Sequence, residues 1–335
     1  MVGSAVMPAL WAHLLGAYDE DSLATLERAL DPAVRISHGP ELPAQPAFDL
    51  LVAGRPSTEA LASSPRLRTL LIPYAGLPER TRTLLRERPQ IAVHNLHHNA
   101  GAAAELAAAL LLCAAKFLVP LDRALRAGDW SPRYRPNPSL LLGGKRAVVL
   151  GYGAIGRRVA AFCCGLDMEV AAIRRRPAPA PATSSVSVHG PEALSDLLTD
   201  ATAVVVALPL TEKTRGLLGE TALACLPRES VVVNVGRGAV IDETALFTRL
   251  QDGRIRAAGL DVWYCYPKSE AQRTCTRPGT LPFEELENVV LSPHRGGALG
   301  MAEAERARMR ALATSLNAAA RGEEIPHRVD VAEGY

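Results

Sequence analysis

Short apolar runs alternate with stretches of helical period along the whole chain. In the first hundred residues the runs Pro8–Leu15, Val34–Ser37, Asp49–Ala53, Leu70–Ile72 and Ile91–His94 read as strands, and Ser22–Leu30 as a helix. Such runs lack the apolar-polar alternation of a one-sided sheet. They predict a small parallel sheet covered by helices on both faces. An alanine-rich helix over Asn99–Pro120 follows, then a second helical stretch to about Asp129. Trp130–Gly144 holds three prolines and reads as a connecting arm. From Lys145 a second alternating unit begins, with six strands expected at Arg146–Leu150, Glu169–Ile173, Ala203–Leu208, Ser230–Val235, Ala257–Val262 and Val289–Ser292. The last long helical stretch, Gly300–Arg321, is expected to pack back on the first unit.

Length agrees with this division, because 335 residues exceed what one hydrophobic core usually organises. A charged fraction of 21% and a formal net charge of +2 give no electrostatic case for a nucleic-acid partner. The six cysteines form no C-x-x-C pair, which favours reduced thiols over disulfides or a metal site and predicts a cytoplasmic protein. The apolar stretch Ala5–Ala17 has no basic leader and runs into Asp19, Glu20 and Asp21, unlike a signal peptide. The alanine-rich helix is interrupted by Glu105 and ends at Lys116, so it is expected to be buried in protein and not to span a membrane.

The first site-bearing motif is R-A-V-V-L-G-Y-G-A-I-G-R-R, where an apolar strand leads into Gly151, Gly153 and Gly156 and then a helix. That context is what a dinucleotide fingerprint requires. Gly151 permits the tight turn, Gly153 lets the backbone approach a pyrophosphate, and Gly156 lets helix pack on strand. The chain is thus expected to be α/β, with two Rossmann/flavodoxin-like doubly wound parallel-sheet domains and a cleft between them. Residues 1–101 and 298–335 would form a discontinuous substrate domain, and 102–297 the dinucleotide-binding domain with its helix and arm.

At the end of the second strand of that domain an NAD site normally carries an acid, about 20 residues past the fingerprint. Here the sequence is A-A-I-R-R-R, with Arg174 in the acid's place and Arg175 after it. A guanidinium can hold a 2′-phosphate through two charge-assisted hydrogen bonds, so NADP(H) is favoured over NAD(H). The plainer alternative is a solvated arginine loop. Two further residues carry chemistry: Arg237 in N-V-G-R-G and His294 in S-P-H, each beside a predicted strand end. A planar fork suits a carboxylate, and an imidazole titrates near working pH and so can give or take a proton. Taken singly, a salt bridge and a core histidine would be the ordinary explanations.

The order G-Y-G-A-I-G, A-L-P-L-T-E-K-T, V-N-V-G-R-G-A-V-I-D-E-T-A-L, A-A-G-L-D-V-W and N-V-V-L-S-P-H-R-G-G resembles the D-isomer-specific 2-hydroxyacid dehydrogenases. The likeness covers nearly the whole chain and reaches upstream to Y-A-G and N-A-G-A-A-A-E-L. It implies that Arg237 grips a substrate carboxylate and that His294 exchanges a proton with the C2 oxygen while hydride moves to or from the nicotinamide. It places Ala154 and Ile155 at the pyrophosphate, and Leu208, Pro209 and Thr214 along the cofactor. Val235 and Gly236 would pass beneath the ring, with Asp261 and Gly296 at the nicotinamide end. Asp261 could instead simply cap a loop. Tyr74, Ala75, Gly76 and Leu77 would line the substrate with backbone donors, although Pro78 lacks an N–H. Asn99 would approach the substrate or cap the helix that follows it. The resemblance also implies a homodimer through the alanine-rich helix and the arm.

One position departs from the family pattern. Five residues after Asp261, before a proline, the family carries an acid that pairs with the histidine; this chain has Tyr266 in D-V-W-Y-C-Y-P. Formate dehydrogenases of the same family resemble this segment and carry glutamine there. Tyr266 could orient His294 but supplies no charge at neutral pH, so it is counted with Arg237 and His294 among the catalytic candidates. The sequence therefore predicts an oxidoreductase of small 2-keto or 2-hydroxy acids. The alternatives are a dehydrogenase of a formate-like or phosphonate-like anion, or a cofactor-binding regulatory protein that has lost turnover.

Overall fold

The computed structural model describes residues 10–177 and 185–335. Pro8 and Ala9 of the first expected strand, and most of the proline- and alanine-rich segment after Arg175, lie outside the described residues. The chain divides into two compact units, one formed by residues up to Asn99 together with Ala298–Tyr335, the other by Ala100–Gly297.

In the first unit, β1 (Leu10–Leu15), β2 (Val34–Gly39), β3 (Leu50–Val52), β4 (Thr69–Ile72) and β5 (Ala92–Asn95) alternate with α1 (Glu20–Glu27), α2 (Thr58–Ala62) and α3 (Glu79–Arg86). All strand pairs are parallel, in the order β2-β1-β3-β4-β5. This is the flavodoxin-like order. Side chains along β3 go alternately to opposite faces: Leu50 and Val52 enter one core cluster, Leu51 the other. Asp19 starts α1 as its N-cap, accepting from the Ser22 N–H, and Ser57 does the same for α2 from Ala60.

The second unit opens with α4 (Ala100–Ala115) and α5 (Leu118–Arg126). The sequence reads as one helix to Pro120, but Phe117 adopts a left-handed backbone (φ 52°) that ends α4 and starts α5. Pro120 then sits in the first turn of α5, where its missing N–H costs nothing. The unit continues with β6 (Arg146–Leu150), α6 (Ala154–Gly165), β7 (Glu169–Ile173), β8 (Val186–His189), α7 (Leu194–Leu198) and β9 (Ala201–Val206). It closes with α8 (Glu220–Ala224), β10 (Val231–Asn234), α9 (Glu243–Gln251), β11 (Ala257–Leu260) and β12 (Val289–Leu291).

These strands form one parallel sheet in the order β12-β11-β10-β9-β6-β7-β8. It has seven strands where the sequence suggests six. The addition is β8, an edge strand of four residues whose Ser187 and His189 break the apolar run. Two apolar layers enclose the sheet, with Val148 and Leu150 of β6 in one and Ala147 and Val149 in the other. Buried α4 covers the second layer through Leu110 and Leu111. It lies close enough to β11 that a Cβ at Gly259 would sit 2.8 Å from that of Leu110. No single helix among the described residues is long and apolar enough to cross a membrane. The chain then returns to the first unit with α10 (Ala302–Ala320), which packs on α1 and places Met309, Leu312, Ala313 and Leu316 among the core residues of β1 and β3.

Candidate active site

From β6 the second sheet grows in opposite directions, towards β7 on one side and β9 on the other. In an open parallel sheet the crevice beyond the strand ends at such a switch point is where ligands bind. Gly151 leaves β6 with φ 99°, a conformation that favours glycine, and a Cβ there would lie 2.8 Å from the Ala207 carbonyl oxygen. A Cβ on Gly156 would collide with the carbonyl oxygen of Gly151. Gly153 differs from both: it is the N-cap of α6, offers no side-chain cap, and faces open space. The N–H groups of Ala154 and Ile155 are thus left at a helix N-terminus with room for an anion, so the residues present fit a dinucleotide pyrophosphate. Gly156→Ala is expected to destabilise the protein by about 1–3 kcal/mol through overpacking and to weaken dinucleotide binding, as thermal melts with and without NADPH would read.

Arg174 follows β7, next to β6 in the sheet; its N–H donates to His189 O (3.0 Å) and its side chain is half-buried, while Arg175 is exposed. Thr214 spends its hydroxyl within its own loop, donating to Pro209 O (2.6 Å) and accepting from the Thr211 N–H (2.8 Å). It shapes the Leu208–Thr214 turn. Val235 is buried, and Gly236 lies so close to Leu208 that a Cβ would approach its carbonyl oxygen to 2.5 Å.

Arg237 is held by a residue that sequence reasoning passed over. Asn234, buried at the end of β10, donates to Arg237 O (3.0 Å) and accepts from the Gly236 N–H (3.0 Å), closing the turn that presents the guanidinium. Gly238 can only be glycine here, since a Cβ would strike the Trp263 carbonyl. Arg237 Nη1 donates to Gly236 O (2.7 Å), and among the described residues no carboxylate pairs with it. Burial works against its charged form, which neighbouring Tyr266 partly offsets.

His294 lies on a loop after β12 and has a left-handed backbone, φ 57°. Asp261, 1% exposed at the end of β11, pins that loop: it accepts from the Ser292 hydroxyl (2.5 Å), the Arg295 N–H (2.7 Å) and the Gly296 N–H (2.8 Å). Much of its hydrogen-bonding capacity therefore goes to positioning the histidine. Trp263 adds a fourth tie, donating from its indole to Ser292 O (2.7 Å). The signals for these roles were the N of N-V-G-R-G, the W of D-V-W and the S of S-P-H, each within two positions of a residue already singled out.

Tyr266 joins the two groups. Its hydroxyl is 3.0 Å from His294 Nδ1 and accepts from the Trp263 N–H at 3.1 Å. The Trp263 N–H takes one lone pair of that oxygen and the other can accept from Nδ1–H, which leaves Nε2 of the neutral imidazole open to take up a proton. Desolvation lowers the pKa of His294; Asp261 pushes it back up and Arg237 pushes it further down. Burial raises that of Tyr266, against the Trp263 N–H and Arg237.

Of the expected site residues, Arg237, Asp261, Tyr266, His294 and Gly296 thus gather at strand ends of the second sheet. The first unit carries Tyr74, Ala75, Gly76, Leu77 and Asn99. Tyr74 lies against Gly54, where any Cβ would collide with its ring, and burial raises its hydroxyl pKa. Gly76 has φ 93°, Leu77 packs on the apolar core, and Pro78 is the N-cap of α3. Asn99 immediately precedes α4. Among the described residues no three histidine, cysteine or acidic side chains converge as metal ligands.

Residues 108–296 match the profile of the NAD-binding domain of D-isomer specific 2-hydroxyacid dehydrogenases. A D-3-phosphoglycerate dehydrogenase of Mycobacterium leprae is 34% identical over 310 residues, 90% of this chain and 55% of that protein. A glyoxylate reductase of Pyrococcus horikoshii is 34% identical over 212 residues, 60% of each. The chain therefore spans between half and two thirds of these relatives. Among solved structures, the D-isomer specific 2-hydroxyacid dehydrogenase of Xanthobacter autotrophicus Py2, in complex with NADPH and MES, is similar with a TM-score of 0.79. It is 26% identical, covering 98% of this chain and 100% of that one.

Proposed function

This chain belongs to the D-isomer specific 2-hydroxyacid dehydrogenase family, and from that premise we propose that it is an NADP(H)-dependent oxidoreductase of small 2-keto and 2-hydroxy acids. The observation that carries the reading is the Arg237–Tyr266–His294 group: a largely buried guanidinium without a carboxylate partner among the described residues, beside an imidazole held by a tyrosine. Gly151, Gly153, Ala154, Ile155 and Gly156 would hold the dinucleotide, with Arg174 and Arg175 at its 2′-phosphate and Asp261 and Gly296 at the nicotinamide end. The nicotinamide, when bound, supplies or takes up the hydride. Arg237 fixes the substrate carboxylate and draws electron density from the adjacent carbonyl. His294, as the imidazolium with Nδ1–H held by Tyr266, gives its Nε2 proton to the C2 oxygen during reduction, and the neutral ring recovers one at Nε2 during oxidation. Tyr266 keeps the ring oriented through Nδ1.

In the first unit, residues Tyr74 to Leu77 and Asn99 are assigned to substrate recognition. The second unit, Ala100–Gly297, is assigned to the cofactor. A homodimer is supported by the exposed apolar side chains Leu118, Val119, Leu125, Trp130, Tyr134 and Leu141, all on α5 and the arm. The cytoplasmic reading rests on the spacing of the six cysteines.

The reading is tested by following NADPH oxidation with glyoxylate, hydroxypyruvate and related 2-keto acids, with His294→Ala as control. Turnover that the variant loses by 10²- to 10⁴-fold, the usual worth of general acid catalysis (about that range), supports it; NADPH binding with no turnover on any of them overturns it. A second reading, a dehydrogenase of a formate-like or phosphonate-like anion, is favoured only by Tyr266 standing where the family has an acid. Reduction of NADP+ by formate, followed as NADPH formation, would select it.

Arg174→Ser tests the cofactor assignment. Loss of a bidentate phosphate contact is expected to lower kcat/KM for NADPH by roughly tenfold or more and to leave NADH nearly unchanged. Equal effects on both cofactors would return Arg174 to the status of a surface residue.

A further inference from the structure

At the other end of the second sheet lies a cavity of about 580 Å³ lined by Ala224, Leu226, Arg228, Arg249, Asp252 and Arg254. Arg228 precedes β10 and Arg254 precedes β11, whereas Arg237, Asp261 and His294 follow strand ends. In a parallel sheet these are opposite edges, separated by roughly 13 Å for four residues of strand at about 3.3 Å each. The cavity is therefore separate from the site described above.

Three guanidiniums line this cavity and only one carboxylate does. Arg249 is 8% exposed; a terminal nitrogen donates to Glu220 Oε1 at 2.5 Å, while its Nε is sealed from solvent with no hydrogen-bond partner among the described residues. That Nε is closed to any ligand, and Arg249 lines the cavity through its other atoms. Among the described residues Arg228 reaches only the Gly253 carbonyl at 3.4 Å, and Arg254 only Asp252 at 4.0 Å; both are exposed. Capping of α9 does not require them. Its last carbonyls already accept from backbone donors: Thr248 O from the Asp252 N–H, Leu250 O from Gly253, and Arg249 O from Arg254 and Ile255.

We infer that this cavity is a second anion site, one that takes a phosphate-bearing small molecule, with Arg249 as a buried cation in its wall and Arg228 and Arg254 as cations that close over it. Arginine forks match phosphate oxygens in pairs, and a multiply charged phosphate competes effectively with the distant Asp252 carboxylate for Arg254.

The test is isothermal titration of NADPH-saturated protein with inorganic pyrophosphate, so that the dinucleotide fingerprint is already filled. Saturable binding at one site is expected. The double variant Arg228→Gln/Arg254→Gln, altered only at exposed side chains, should weaken it at least tenfold, and Arg237→Gln should leave it within twofold. No binding to the wild-type protein, equal binding to the double variant, or loss in Arg237→Gln would each overturn the inference. Turnover is not the readout, so failure here is distinguishable from failure of the dehydrogenase reading.

Discussion

Replacing Tyr266 by glutamate is expected to move the pH limit of keto-acid reduction upward by about one unit or more. In the proposed mechanism reduction needs a proton on His294, and that proton is lost as pH rises through the histidine pKa. In this protein desolvation, with help from Arg237, holds the pKa below 6.5, and Asp261 only partly restores it. The limb in kcat/KM for reduction should therefore fall below pH 6.5 in the unaltered protein, and oxidation should improve above it. A carboxylate at position 266, near the 3.0 Å now spanned by the tyrosine hydroxyl, would favour the imidazolium, and opposite charges this close shift a pKa by about one to three units. Tyr266→Phe removes the hydrogen bond without adding charge and should lower kcat while leaving the limb on the acid side. The measurement is kcat/KM for glyoxylate against pH in all three proteins. A limb in the unaltered protein at or above neutrality, unmoved by glutamate, would show that Tyr266 does not govern the proton.

Arg237→Gln is expected to lower kcat/KM by roughly 10²- to 10³-fold, as fits the loss of about 2–5 kcal/mol when one partner of a buried charge pair is removed. Arg237→Lys should recover only part, because an ammonium keeps the charge but not the planar fork. The turn itself should survive either change, since Asn234 holds it through the backbone N–H of Gly236 and the carbonyl of residue 237. Unaltered melting temperatures with lost turnover would place the effect on substrate. A matching loss of stability would place it on the turn. Rates within a few-fold of the unaltered protein would remove Arg237 from the chemistry.

Much of the candidate site was legible because its residues lie in contiguous strand-end motifs. Gly151, Gly153 and Gly156 announce the turn by spacing, and Arg237 and His294 stand beside strands that their apolar runs make visible. Tyr266 drew notice as a departure from a pattern, and the structure gives it a partner. What stayed hidden depends on how loops fold. No spacing rule says that the Asp261 carboxylate turns towards Ser292, Arg295 and Gly296, or that Asn234 reaches across its own turn. The eighth strand was missed because an edge strand with Ser187 and His189 carries too weak an apolar signal. The break between α4 and α5 was missed because a left-handed phenylalanine has no compositional mark, and Pro120 reads as the end of a helix when it is near the start of one.

The two units are not equally placed for synthesis on the ribosome. Ala100–Gly297 is one continuous stretch that can complete both of its apolar layers as soon as it has emerged. The other unit has all five strands early but lacks α10, whose Met309, Leu312 and Leu316 fill the same core as Leu14, Leu26 and Leu50. Until α10 arrives, that face of the nascent sheet is bare hydrocarbon, the surface a chaperone would hold. Vectorial synthesis thus sets the order of maturation, with the unit that carries Arg237, Tyr266 and His294 able to close first.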